Sequence, residues 1–140
     1  MKKLLALSIL AACSAPVFAD VNYSLEISQP QHHLGDVSVE FPKTAQAHLD
    51  IKLPAWRTGR YEMLNLANGI RYFKAKDEDG KELKWEKIDH STWRVHLNEP
   101  TEVNVDYQVY ANELGKRARH IDDSHAFIDA SGFFMFSESF

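Results

Sequence analysis

The sequence is short of cysteine and glycine and has no long apolar run, and each shortage excludes a class of protein. Its single cysteine, Cys13, cannot form a disulfide within the chain. The six glycines are scattered and form neither a G-x-G-x-x-G fingerprint nor a P-loop, which argues against nucleotide binding through either motif. H-E-x-x-H does not occur, so the sequence contains no zinc-peptidase helix of that type. No segment approaches the roughly 20 apolar residues that a transmembrane helix needs.

Positive charge is also in short supply. The 140 residues carry 16 lysines and arginines against 20 aspartates and glutamates, which gives a formal net charge of −4. An acidic balance without a basic cluster argues against nucleic acid as a partner, because phosphates bind clustered Lys and Arg. Hydrophobic residues at 44% and charged residues at 26% are ordinary globular values, so the composition excludes disorder and indicates one folded domain.

The first 19 residues have the pattern of a bacterial export signal. Two lysines precede a short, mainly apolar run, and Val17 and Ala19 supply small residues at the −3 and −1 positions of a cleavage site. We therefore expect residues 1–19 to be a signal peptide, residues 20–140 to be the mature domain, and the protein to be periplasmic or secreted. The alternative is a lipoprotein anchored through Cys13, because the preceding Leu-Ala-Ala resembles a lipobox.

Apolar and polar residues alternate with a period of two through most of the mature chain. Alternation places one set of side chains on a single face of a sheet, which is typical of half-buried strands. Asp79 and Gly80 separate two runs at 72–76 and 82–87, which predicts a tight hairpin. The pattern predicts an all-β fold, either an antiparallel β-sandwich or a strongly bent sheet, of about seven or eight strands. The other alternating runs are 21–27, 37–41, 47–53, 93–97 and 103–109.

One segment interrupts the alternation and combines aromatic rings with positive charge. Trp56 and Tyr61 flank Arg57 and Arg60 in an irregular stretch, and residues 62–68 are expected to form a short helical turn. Guanidinium groups bind carboxylates through two hydrogen bonds, so these four residues are candidates for contact with a peptide substrate or a partner protein. The alternative is structural, with the rings closing one end of the sandwich and the arginines pairing with acidic side chains.

Two of the seven histidines, His120 and His125, flank the carboxylates of Asp122 and Asp123 in the sequence. His120, Asp122 and His125 are residue types that bind zinc. However, the spacing of the two histidines points their imidazoles to opposite faces of a strand, and on a helix it separates them by roughly 140°. We therefore expect a polar turn without metal, in which aspartate side chains accept local backbone hydrogen bonds. A metal-dependent hydrolase built on these three residues is the weaker alternative.

The carboxyl-terminal residues are unusually apolar. Phe133, Phe134, Met135, Phe136 and Phe140 all fall within the last eight residues, whereas chain termini are usually polar. Such a run needs a surface to cover it. We therefore expect the chain to stop early, either as a truncated reading frame or as a piece of something longer.

Several segments of the mature chain match one known family in their residues. They are 23–27 with His33, 53–56 (Leu-Pro-Ala-Trp), 59–61 (Gly-Arg-Tyr), 79–80, 93–95, 105–111 and 119–123 (Arg-His-Ile-Asp-Asp). Through them the sequence resembles the N-terminal β domain of the bacterial glycyl aminopeptidase family, zinc metallopeptidases that often carry a PDZ domain. The resemblance covers almost all of the mature chain, and Thr58, where many relatives have proline, is a small departure.

The resemblance implies a function in a larger enzyme. In that family the N-terminal domain precedes a thermolysin-like domain whose H-E-x-x-H and distal glutamate bind zinc. Because no H-E-x-x-H occurs here, the resemblance implies a chain without catalytic residues or a cofactor of its own, and not itself an enzyme. It would pack against a peptidase catalytic domain, in cis or in trans, and help to wall the substrate cleft. The apolar residues 133–140 would cross into the missing domain, and Asp122 and Asp123 would form a recurring structural turn.

The alternative function is a stand-alone envelope β-sandwich that binds a peptide or a glycan. Trp56, Arg57, Arg60 and Tyr61 would then form the ligand site. The two hypotheses differ in what the genome encodes after the codon for Phe140: an H-E-x-x-H within a few hundred codons favours the peptidase, and an unrelated neighbour favours the stand-alone module.

Overall fold

The computed structural model describes residues 20–56, 59, 62–115 and 118–140. Within them the chain forms nine β-strands, two 3₁₀ helices and one α-helical turn. The strands are β1 (Asn22–Glu26), β2 (Leu34–Thr44), β3 (His48–Lys52), β4 (Ile70–Lys76), β5 (Trp85–Lys87), β6 (Thr92–His96), β7 (Thr101–Tyr110), β8 (His120–Ile121) and β9 (Ala126–Phe127). The 3₁₀ helices are Pro30–His32 and Leu66–Gly69, and α1 is Ala130–Phe133. None of the helices in these described ranges has the length and apolar character to span a membrane.

Seven of the nine strands form two antiparallel sheets. The first sheet has the strand order β1-β2-β7-β4, and the second has the order β3-β6-β5. β8 and β9 pair with each other in a separate hairpin. The two-sheet arrangement confirms the predicted all-β, sandwich-like antiparallel fold.

Alternation selects the residues that fill the core. In β7 every second residue from Thr101 to Val109 is buried, and the residues between them are more exposed. The same pattern recurs along β2. Phe73 of β4, in the first sheet, stacks on Trp93 of β6, in the second, with ring centroids 5.5 Å apart, so the two sheets share one core. Fully buried members from both sheets are Val39, Phe41, Leu49, Ile51, Val95, Val103, Val105 and Val109.

The turn predicted at residues 79–80 is present. Gly80 has φ of +80°, its N–H donates to the Asp77 carbonyl (3.0 Å), and the Asp77 N–H donates to the Lys81 carbonyl (3.0 Å). Glycine suits this left-handed backbone because it has no Cβ. The strands on either side nevertheless belong to different sheets, since β4 pairs with β7 and β5 pairs with β6. The chain therefore crosses from the first sheet to the second after this turn.

The apolar carboxyl-terminal segment belongs partly to the core of this domain. Phe133 and Met135 are fully buried, whereas Phe136 and Phe140 are 37% and 44% exposed. Phe136 pairs with Lys52 of β3 through two backbone hydrogen bonds of 2.8 Å, which extends the second sheet at its β3 edge. The expectation that the whole run needs an external surface is therefore wrong for Phe133 and Met135.

The helical turn expected at residues 62–68 lies further along the chain. The stretch before Leu66 is irregular, and the 3₁₀ helix Leu66–Gly69 includes Gly69 instead of ending before it. The Leu64 N–H donates to the Ala55 carbonyl (2.8 Å) across the loop, and the helical hydrogen bonding begins only after it, with the Asn68 N–H donating to the Asn65 carbonyl (3.1 Å).

Candidate functional site

The loop after β3 is held at both of its ends. The Leu53 N–H donates to the Ser91 carbonyl (2.9 Å), and Leu53 itself is buried. At the other end the Leu64 N–H donates to the Ala55 carbonyl (2.8 Å). These bonds fix the backbone at Leu53, Ala55 and Leu64.

This loop presents apolar side chains to solvent. Trp56 is 54% exposed, and Met63, which the sequence did not single out, is 63% exposed. A tryptophan that closed the end of the sandwich would be buried, so the exposure of Trp56 does not fit that structural alternative. Arg57, Arg60 and Tyr61, the other three predicted contact residues, lie outside the described residues.

Arg119 is a buried cation that ties three segments together. Its side chain is only 3% exposed, and Nε donates to Glu113 Oε1 at 3.0 Å. Nη1 donates to the Gly132 carbonyl (3.0 Å) and Nη2 to the Leu66 carbonyl (2.8 Å). The residue thus anchors the chain that follows the exposed loop to α1. The sequence pointed to Arg119 only because the residue lies in segment 119–123, which matches the family. A single arginine before a short strand does not indicate whether its side chain is buried.

A tight turn built on Asp122 joins β8 to β9. Its Oδ1 accepts hydrogen bonds from the backbone N–H groups of Ser124 (2.8 Å) and His125 (2.9 Å). The Asp122 N–H donates to the His125 carbonyl (3.0 Å). These bonds confirm the predicted polar turn, in which an aspartate accepts local backbone hydrogen bonds.

The same turn gathers two imidazoles around one carboxylate. His120 Nε2 lies 3.0 Å from Asp122 Oδ2, and His125 Nδ1 lies 3.2 Å from Asp122 Oδ1. One donor atom from each of the three residues lies within 4.8 Å of the others. The expectation that the imidazoles point apart is wrong because it assumed a continuous strand or helix, whereas the chain reverses direction between them.

Hydrogen bonds hold the pKa of Asp122 below its ordinary value of 3.8. The Ser124 hydroxyl is the largest cause, followed by the His120 ring and the backbone N–H groups of His125 and Ser124. Because donors to a carboxylate favour its charged form, Asp122 is ionised at neutral pH. The turn therefore carries a fixed negative charge between two imidazoles.

The three donor groups line an open cavity of about 430 Å³. Side-chain exposure rises from 12% for His120 through 31% for Asp122 to 60% for His125, so the cluster has a buried side and an open side. Leu114 and Phe127 also line the cavity and are 87% and 45% exposed. A small ion or polar ligand can reach the cluster from solvent.

Two packed antiparallel sheets, a loop with an exposed tryptophan and a short hairpin at the carboxyl-terminal side define a small antiparallel β domain. The chain belongs to the Peptidase M61 N-terminal domain family, whose sequence model matches residues 22–140. Among curated proteins, none matches the sequence at a significant level.

The fold is also found in a solved structure. The chain is similar to the crystal structure of an aminopeptidase N family protein from Idiomarina loihiensis, with a TM-score of 0.78 and 24% sequence identity. The match covers 85% of this chain and 20% of that chain, so this chain spans about one fifth of that protein's length. At this level of identity the likeness shows the fold alone.

Proposed function

We propose that this chain is the non-catalytic N-terminal accessory domain of an exported zinc aminopeptidase of the glycyl aminopeptidase type. The family match over residues 22–140 carries the proposal, because that family is the N-terminal domain of a group of peptidases. The fold shared with an aminopeptidase N family protein supports the same class. In this role the domain packs against a catalytic domain and helps to wall its substrate cleft.

The catalytic zinc needs residues that this sequence does not contain. Peptidases of the H-E-x-x-H type bind zinc through two histidines one helical turn apart and use the glutamate between them as the general base. That motif does not occur, and His120, Asp122 and His125 lie in a hairpin of two two-residue strands, with no glutamate among them. They do not fit the catalytic set. In the proposal both the catalytic zinc and its general base belong to a partner domain, in cis in a longer form or in trans.

The contact surface we propose is the loop that contains Trp56, Arg57, Arg60 and Tyr61. Trp56 is 54% exposed on a loop whose ends are held by backbone hydrogen bonds. Tryptophan, tyrosine and arginine contribute a large share of the binding energy at protein interfaces. The arginines can also bind a peptide carboxylate through paired hydrogen bonds, which would place peptide substrate at the same loop.

Enzyme assays test the non-catalytic part of the proposal. The purified chain with added Zn²⁺ should leave glycyl and alanyl anilides intact, because it supplies neither the catalytic zinc ligands nor the base. Turnover in proportion to bound zinc would contradict it.

A binding assay tests the accessory role. Separately purified catalytic domain from a peptidase of this family should bind the chain, and Trp56→Ala should weaken binding by more than about tenfold. Tyr72→Ala is the matched control, since Tyr72 is an aromatic residue on β4 that is 76% exposed. Equal binding by all three proteins would argue against the loop, and no binding by wild type would argue against the accessory role.

We also propose that the chain is exported. The support is the signal pattern in residues 1–19, which lie outside the described residues. Mass spectrometry of the mature protein should find Asp20 at its amino terminus. A lipidated Cys13 would establish the lipoprotein alternative instead, and an intact Met1 would contradict export by either route.

A further inference from the structure

We propose that His120, Asp122 and His125 form a binding site for a divalent transition metal of the zinc class at the turn between β8 and β9. Two imidazoles and one carboxylate are a donor set that proteins use for such ions. The site lies wholly within this chain, so the proposal does not depend on the peptidase function proposed above.

The two distances between imidazole and carboxylate donor atoms are close to those of a tetrahedral metal site. With metal–donor bonds of about 2.0–2.1 Å, two ligands of a tetrahedral zinc ion lie roughly 3.3–3.4 Å apart. Oxygens of Asp122 lie 3.0 Å from His120 Nε2 and 3.2 Å from His125 Nδ1. The two distances involve different oxygens of Asp122, and the three donor atoms all lie within 4.8 Å of one another. Side-chain rotation that brings both imidazoles to one Asp122 oxygen would complete the site.

His120 has a ring nitrogen that the fold does not use. Its Nε2 meets Asp122, but Nδ1 is buried and has no hydrogen-bond partner within the described part of the chain. Buried polar atoms are nearly always paired, so an unpartnered one points to a ligand or a function. The ring of His33, 5.8 Å away, differs in that its Nδ1 pairs with the Ile121 carbonyl. Nε2, the nitrogen that faces Asp122, is the one placed to bind an ion between the three side chains, and no hydrogen bond to Nδ1 within the described residues fixes which ring nitrogen carries the proton.

The turn holds Asp122 in place before any ion binds. Two backbone N–H groups donate to its Oδ1, at 2.8 Å from Ser124 and 2.9 Å from His125. Hydrogen bonds of this kind orient a ligand carboxylate and strengthen metal binding. Oδ2, which these backbone groups leave free, is the oxygen that faces His120.

The donor set also selects the class of ion. Imidazole suits Zn²⁺, Cu²⁺, Ni²⁺ and Co²⁺, whereas Mg²⁺ and Ca²⁺ take oxygen ligands. Three protein ligands leave a position for water, and His125 is 60% exposed, so solvent can reach it. The bound ion would link β8 to the residue before β9 and stabilise the hairpin against opening.

Metal titration of the purified, metal-free chain tests the proposal. Zn²⁺ affinity is measured by competition with a chromophoric chelator, Co²⁺ binding by its visible absorption, and Tm by calorimetry. We expect about one Zn²⁺ per chain, a Tm that rises with Zn²⁺ but not with Mg²⁺ or Ca²⁺, and a loss of affinity of about tenfold or more in His125→Ala. The exposed His125 side chain can be removed while its backbone N–H still donates to Asp122.

His96→Ala is the matched control. His96 Nε2 lies 3.0 Å from Glu86 Oε1, so this exposed pair has the same donor types and distance, and no third ligand joins it among the residues that the structure describes. Its Zn²⁺ affinity should equal that of wild type. Asp122→Asn, which retains an oxygen that can accept the turn's hydrogen bonds, should lose affinity as His125→Ala does. Weak binding shared equally by all four proteins, or an equal loss in His96→Ala, would overturn the proposal.

Discussion

Gly69 belongs to the second 3₁₀ helix and lies against the guanidinium group of Arg119. A Cβ at position 69 would meet Arg119 Nη2 and would lie 2.9 Å from the Tyr110 carbonyl oxygen. The guanidinium cannot move aside freely, because it donates to the carbonyls of Leu66 and Gly132. Breaking these bonds would leave buried donors unpaired.

Gly69→Ala should therefore destabilise the domain. We expect the free energy of unfolding to fall by about 1–3 kcal/mol, the usual cost of inserting a methyl group into a packed site. Urea denaturation measures it. Asn68→Ala, on the exposed side of the same 3₁₀ helix, should change stability by no more than about 0.5 kcal/mol. Similar values for the two variants would show that Arg119 does not constrain position 69.

Tyr107 connects a buried strand to the carboxyl-terminal segment through its hydroxyl. The hydroxyl donates to the Phe133 carbonyl (2.7 Å) and accepts from the Met135 N–H (3.0 Å). Burial raises the pKa of Tyr107 above its ordinary value of 10.0, while the Met135 N–H opposes that shift. The side chain is therefore neutral in the folded protein at a pH where it ionises in the unfolded chain.

Tyr107→Phe should cost stability at neutral pH and remove part of the alkaline sensitivity. Loss of both hydrogen bonds should lower the free energy of unfolding by about 1–3 kcal/mol. Because the folded pKa lies above the unfolded one, the tyrosine's contribution is full below pH 10 and declines above it, by roughly 1.4 kcal/mol per pH unit. Urea denaturation from pH 7 to 11 should thus show wild type losing stability more steeply than the variant. Tyr72→Phe, at an exposed position, should retain the wild-type slope.

At the scale of elements, the segment after α1 acts as an added strand on the β3 edge. Backbone pairing of Phe136 with Lys52 and the ion pair between Lys52 Nζ and Glu138 Oε1 (2.8 Å) hold it in place. Met135 points into the core with 0% exposure, whereas Phe136 is 37% exposed. Consecutive side chains of this segment thus point to opposite faces, as they do in a β-strand.

Met135→Ala and Phe136→Ala should accordingly have different effects. Met135→Ala leaves a cavity in the core and should lower the free energy of unfolding by about 2–5 kcal/mol. Phe136→Ala keeps the backbone pairing with Lys52 and should cost about 1 kcal/mol. Chemical denaturation of the two variants measures both values. A larger loss for Phe136→Ala would mean that the segment faces the other way.

Element prediction from the sequence succeeded where the repeat was long enough to be seen. β2 and β7 have 11 and 10 residues, so their alternation is evident. β8 and β9 have two residues each and α1 has four, too few to show any period. For α1 the available signal was Asp129, which caps the helix by accepting from the Ser131 N–H. Because β8 and β9 are so short, the sequence did not predict that the chain reverses between them. That reversal is what brings His120 close to His125.

At the scale of the whole molecule, the strand partners were beyond the reach of local pattern. The turn at Gly80 was predicted from Asp79-Gly80, but the strands that flank it join different sheets. The sheet that each strand joins depends on the pairing of β4 with β7 and of β5 with β6. The first of these pairs joins strands that are separated by more than twenty residues. Alternation predicts which face of a strand is buried, but it does not predict which other strand pairs with it.

The two sheets should unfold as one cooperative unit. Phe73 of the first sheet stacks on Trp93 of the second at 5.5 Å and lies 6.5 Å from Tyr107 of its own sheet, so one aromatic cluster spans both. Trp93, in β6, is 4% exposed, the least of the three tryptophans. Tryptophan fluorescence therefore reports mainly on the second sheet. Far-UV circular dichroism reports on all strands.

In urea the two signals should therefore give one midpoint. Val105→Ala in β7 and Val95→Ala in β6 each remove buried methyl groups and should lower the free energy of unfolding by about 2 kcal/mol. Because the sheets share one core, each variant should move the fluorescence and dichroism midpoints together. If Val105→Ala shifted the dichroism midpoint and left the Trp93 fluorescence midpoint in place, the sheets would be separate folding units, and the packing of Phe73 between them would contribute little to stability.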